Sequence, residues 1–83
     1  MDKVLTEIFV PVLGAAYDVF LPLQSPLYEV LELLKRGVTE LSDGRFRSSD
    51  ETVLCNRADG TVLNINLSVY ELGIQNGSKL MLI

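Results

Sequence analysis

Cys55 is the residue best equipped for nucleophilic chemistry, and it has no partner for it: the 83 residues include one cysteine and no histidine. A thiol becomes a nucleophile when a base or a strongly positive setting draws off its proton. Here only Arg57 lies close in sequence. The expected role of Cys55 is a small apolar residue inside a strand. One cysteine also forms no internal disulfide, so packing alone must hold the fold, which suits a reducing cytoplasm. With no histidine there is no ligand set for zinc. Glu29 with Glu32, and Asp50 with Glu51, have the spacing of acid/base pairs, but no apolar cleft is signalled that would separate their proton affinities. They are expected on solvated surface. Gly73 and Gly77 lack the Gly-Lys-Ser/Thr that completes a phosphate loop and are expected in turns. No catalytic residue, cofactor or metal site is expected.

Charge narrows the classes further. Eleven acids against seven bases give a formal net charge of −4. Nucleic-acid binding draws on phosphate neutralisation, and the bases here are dispersed as Lys35-Arg36 and Arg45-Arg47. No nucleic-acid partner is expected. The opening Met1-Asp2-Lys3 leads into an apolar run broken by Thr6 and Glu7, too short and too polar for a signal peptide or a membrane span. A cytoplasmic protein without direct membrane insertion is expected. An apolar fraction of 48% over 83 residues supports one domain, 1–83, with one core.

The elements that would carry any site follow from periodicity. Residues 4–13 alternate, with Val4, Thr6, Ile8, Val10 and Val12 on one parity and Leu5, Glu7, Phe9, Pro11 and Leu13 on the other. Gly14-Ala15-Ala16 breaks the run, and a second strand carries Tyr17, Val19 and Leu21 on one face, so a hairpin is expected. Ser25 as N-cap and Pro26 at the first position open a helix. Its apolar stripe is Leu27, Val30, Leu34, Val38 and Leu41, widened by Leu31. Glu32 and Arg36 are spaced to pair, Gly37 loosens the last turns, and Ser42-Asp43-Gly44 ends the helix. Residues 45–51 read as a polar loop, 52–56 as a short strand, and Ala58-Asp59-Gly60 as a turn. Val62-Leu63 resumes a strand, 67–72 forms a helical turn, and 79–83 is the last strand. A helix stripe laid on one face of such a sheet gives a two-layer α+β domain.

This order resembles the ubiquitin-like β-grasp, a mixed sheet of four to five strands packed on one helix. Leu67-Ser68-Val69-Tyr70, then Ile74-Gln75 and Leu80-Met81-Leu82, is similar to the closing segment of ubiquitin. The stretch from Tyr70 to Leu80 resembles the bacterial YukD/EsaB family still more closely, with Ser78 where that family usually has aspartate. Val10 to Asp18 is also similar to Firmicute members. The resemblance implies a non-conjugating accessory or regulatory protein of the type VII (WXG-protein) secretion apparatus of Gram-positive bacteria. Its partner would be a protein, such as a component of that apparatus. The alternatives are a ubiquitin-like modifier or sulfur carrier whose Gly-Gly tail lies beyond Ile83, or a docking domain of a larger secretion protein. Met81-Leu82-Ile83 falls inside the predicted last strand, which argues against conjugation and sulfur transfer.

Two further expectations concern packing. The predicted core is Val10, Val19, Leu21, Leu27, Val30, Leu34, Leu67 and Leu80. With that parity Phe9, Pro11 and Phe20 face away from the helix, and large apolar groups on an open sheet face mark a protein-binding site.

Overall fold

The computed structural model describes residues 2–83. Strand β1 (Lys3–Val10) pairs antiparallel with β2 (Ala15–Pro22), in a register that sets Leu5 opposite Phe20 and Phe9 opposite Ala16. Val4, Thr6, Ile8 and Val10 are buried and their neighbours are not, as the alternation predicts. The strand stops three residues before the apolar run does. Pro11 has no amide to continue the ladder, and Pro11–Leu13 turns into one 3-10 turn instead. Val12 therefore leaves the core parity and is 76% exposed. Gly14 closes the turn in the left-handed region at φ 62°, donating its amide to the Pro11 carbonyl at 3.0 Å.

Helix α1 (Leu27–Leu41) begins one residue later than expected, and among the described residues no side chain caps its start. Pro26 is the extended N-cap residue and bridges to Ser68. The first helical amides, of Leu27 and Tyr28, donate instead to the carbonyls of Leu67 and Ile65 at 2.8 and 3.0 Å. A distant loop thus does what the Ser25 hydroxyl was expected to do, satisfying the unpaired donors of the first turn. The buried stripe is Leu27, Val30, Leu31, Leu34 and Val38. One turn on, the inward position belongs to Ser42, and Leu41 is 64% exposed. Glu32 pairs with Lys35 at 3.0 Å rather than with Arg36.

Strand β4 (Lys79–Leu82) runs parallel to β1, and β3 (Leu54–Asn56) runs antiparallel to β4. The four-stranded mixed sheet has the order β2-β1-β4-β3, with α1 across one face. Val62-Leu63 adds only an isolated bridge, Cys55 to Val62, and 67–72 is a series of turns. Those turns are nonetheless ordered. Ser68 and Glu71 exchange side-chain-to-amide hydrogen bonds at 2.9 and 3.0 Å, a capping box without a following helix. They deliver Val69 and Ile74 into the core.

Six of the eight predicted core residues are buried; Val19 and Leu67 are half-buried. The larger departure is Phe46, 3% exposed inside the segment expected to be a polar loop. Its amide donates to the Ser42 hydroxyl oxygen at 2.9 Å, and that hydroxyl donates to the Thr39 carbonyl at 3.2 Å. Ser42, itself buried, ties the end of α1 to the residue that closes the core beneath it.

Candidate functional site

The sheet face opposite the helix is built in three rows by the strand register. Leu5 and Phe20 form one, Glu7, Asp18 and Lys79 the next, and Phe9, Ala16 and Met81 the third. The three binding candidates are thereby separated. Phe9 and Phe20 lie four residues apart along the paired strands, roughly 13 Å at ~3.3 Å per residue, with the charged row between them. Pro11 has left the sheet for the 3-10 turn and is exposed at the hairpin end, where it lines a hollow with Phe46, Thr52 and Leu82. Phe20 is 63% exposed.

Phe9 is half-buried for a reason absent from local sequence. The Arg57 guanidinium carbon lies 4.2 Å above the ring centroid, and the same group bonds the Glu7 carboxylate at 2.8 Å. Fifty residues separate Arg57 from Glu7, so no short-range pattern could have paired them. A cation held over an aromatic face by a carboxylate gives this end of the face a fixed polar rim.

Cys55 is buried, in the register of Met81, and burial pushes its thiol above the usual range. A thiol held protonated there is a packing group. Among the described residues no three His, Cys, Asp or Glu side chains are grouped to hold a metal ion. Asp50 and Glu51 are exposed on the loop before β3, and Glu29 and Glu32 on the outer side of α1.

The residues that resemble a closing segment are structural. The Asn76 side-chain oxygen accepts from the Leu5 amide at 2.8 Å, Gly77 donates to the Leu5 carbonyl at 2.8 Å, and the Glu7 amide donates to the Ser78 carbonyl at 2.9 Å. The turn before β4 thus extends the β1–β4 ladder by backbone and side chain together. Gly77, at φ 88°, supplies a conformation that a side chain would strain.

No family model matches the sequence, and no curated protein is detectably similar to it. Solved structures are similar throughout. The ubiquitin-like domain of the type VII secretion system protein EccD1 of Mycobacterium tuberculosis superposes with a TM-score of 0.81 at 16% identity, over 100% of this chain and 99% of that one. The fold is the ubiquitin-like β-grasp. The EccD5 ubiquitin-like domain of Mycobacterium xenopi gives 0.73 at 22% identity, over 100% and 94% of the two chains. A protomer of the ESX-3 core complex gives 0.75 at 20% identity, covering 99% of this chain and 16% of that larger one. The β-grasp seen here thus resembles, in fold, domains that occur in type VII secretion proteins. No helix among the described residues is long and apolar enough to cross a membrane.

Proposed function

We propose that this β-grasp is a non-catalytic protein-binding module, of the YukD/EsaB kind, that assists or regulates a type VII secretion apparatus from the cytoplasmic side. The observation that carries the reading is the full-length superposition on the EccD1 ubiquitin-like domain. The sheet face agrees with it: Phe20 and Leu5 stand exposed at one end, and the Arg57-roofed Phe9 stands at the other. Interfaces concentrate energy in aromatic anchors ringed by polar groups. Phe20, the more exposed ring, is the stronger anchor, and Phe9 orients the partner through its charged rim.

The test is co-purification of the tagged chain with the membrane ATPase of the apparatus, comparing wild type with a Phe9→Ser/Phe20→Ser double variant. The expected result is loss of the complex with an unchanged circular-dichroism spectrum. Loss of both would make the rings structural, and retention by the folded variant would move the site elsewhere. A ladder of covalent adducts after incubation with ATP and cell extract would overturn the reading in favour of a modifier.

A further inference from the structure

The sheet's β2 edge carries unpaired backbone groups beside an apolar groove. Because Leu5 and Glu7 turn their backbone groups toward β4 and the preceding turn, Val4, Thr6 and Ile8 turn theirs toward β2. It follows that Ala16, Asp18 and Phe20 point both N–H and C=O outward, where among the described residues no turn, loop or side chain bonds them. Pro22, at the end of this edge, has no amide to leave unpaired. On the helix side of the edge runs a groove of about 160 Å³ between β2 and α1, lined by Val19, Leu21, Leu33, Leu34, Gly37 and Leu41.

Gly37 is the informative residue. A glycine inside a helix destabilises it, and a Cβ placed there would meet no heavy atom within 4 Å among the described residues, the adjoining helix backbone apart. Packing within this molecule therefore does not require it. A side chain at 37 would instead rise into the groove, so the glycine keeps the groove open.

We infer that the β2 edge and this groove together take an extended strand from another protein. Its backbone pairs with Ala16, Asp18 and Phe20, its alternate apolar side chains enter the groove, and a basic residue on its other face lies opposite Asp18. An added strand sits about 4.8 Å from β2, so every second side chain points at α1. Asp18 is exposed at the middle of the edge and forms no ion pair among the described residues, whereas the carboxylate of neighbouring Glu7 is taken by Arg57 at 2.8 Å. Opposite charges across a strand pair favour pairing, and like charges oppose it. The same rule disfavours a second copy of this chain paired about the centre of the edge, where Asp18 would stand against itself; of the two neighbouring registers, one sets Pro22 opposite Ala16. The inferred site shares Phe20, which also lines the groove, with the surface proposed above, but not Phe9, and does not depend on the secretion pathway.

The test is an NMR titration of the isotope-labelled protein with a blocked synthetic peptide that alternates valine with threonine and one central lysine. Expected are shifts at Ala16, Asp18, Phe20 and Gly37, and slowed exchange of the three β2 amides. Peptide N-methylation at the amides facing β2 should abolish binding, and lysine-to-glutamate exchange should weaken it roughly two- to five-fold. Gly37→Leu should remove binding while keeping the helical spectrum; should that variant unfold, Gly37→Ala should still weaken binding. Phe9→Ser should leave it unchanged. No shift at an affinity of about 1 mM or better, binding undiminished in both Gly37 variants, or shifts confined to Phe9 and Met81 would each overturn the inference. Concentration-dependent dimerisation through β2 would also overturn it and give the edge to a second copy.

Discussion

The two edges of the sheet are finished in different ways. At the β3 edge the chain covers itself: the amide of Asn56 bonds the Thr61 carbonyl, Leu63 bonds Leu54, and Val62 bridges Cys55. That strand is three residues long, and just before it Val53 exchanges hydrogen bonds with Ile83 at 2.8 and 3.0 Å. The β2 edge is eight residues long and has no such cover among the described residues. Exposed edges template pairing with other chains, and proteins blunt them with proline, charge or a covering loop. Here Pro22 and Asp18 supply the first two in part, and the cover is missing. One side of this domain is thus closed by its own loops, while the other is left available.

If the covered half depends on its loops, the largest effect should come from the residue that seals them. Phe46→Ala should destabilise the fold by about 3–5 kcal/mol, within the range for a buried aromatic cut to alanine. Leu34→Ala, beneath the open side, should cost about 2–5 kcal/mol. Chemical denaturation of the two variants measures both. A Phe46 variant that unfolds at the wild-type midpoint would show that the 45–51 segment covers nothing.

The same contrast separates what was legible in the sequence from what was not. The hairpin and helix read directly because alternation and a heptad-like stripe are local patterns: Val4, Ile8, Val30 and Leu34 fall where period 2 and period 3.6 put them. The stripe failed only at Leu41, because the next inward position along Leu34 and Val38 is Ser42. Beyond that point order comes from contacts that leave no periodic trace. Phe46 is one apolar residue among polar ones, anchored through the Ser42 hydroxyl. The helix cap expected of Ser25 is provided by carbonyls some forty residues away. For the candidate site, parity correctly separated Phe9 and Phe20 from the core. It did not show the charged row between them, or Arg57 above Phe9, because both depend on tertiary register.

A smaller effect tests whether the open side is shaped at a cost to stability. A Cβ at Gly37 would touch no described residue beyond the adjoining helix backbone, so Gly37→Ala should stabilise the domain by about 1 kcal/mol through helix propensity. A rise in the thermal midpoint is the expected readout. A drop would show that the helix needs a bare backbone there, and the groove would lose its distinction from ordinary packing.

The smallest effect belongs to the covered side, at its exposed turns. Hydrogen bonds from the Ser68 amide and hydroxyl hold the Glu71 carboxyl below the usual carboxylate range, and the Thr61 amide and hydroxyl do the same for Asp59. A carboxyl whose folded value is depressed binds its proton more weakly in the native state than in the unfolded chain. Its contribution is therefore complete above the unfolded value of about 4 and disappears as pH falls through the lower folded value. Both side chains are exposed, so the loss should be small and gradual. Thermal midpoints recorded downward from neutral pH should show it below pH about 4. Glu71→Gln should lower the neutral-pH midpoint slightly and flatten the acid limb, since an amide oxygen still accepts the Ser68 bond but no longer titrates. Ser68→Ala should flatten the same limb by removing one donor. An acid limb unchanged in both variants would detach the Ser68–Glu71 box from stability, leaving the turns before β4 held by the burial of Val69 and Ile74 alone.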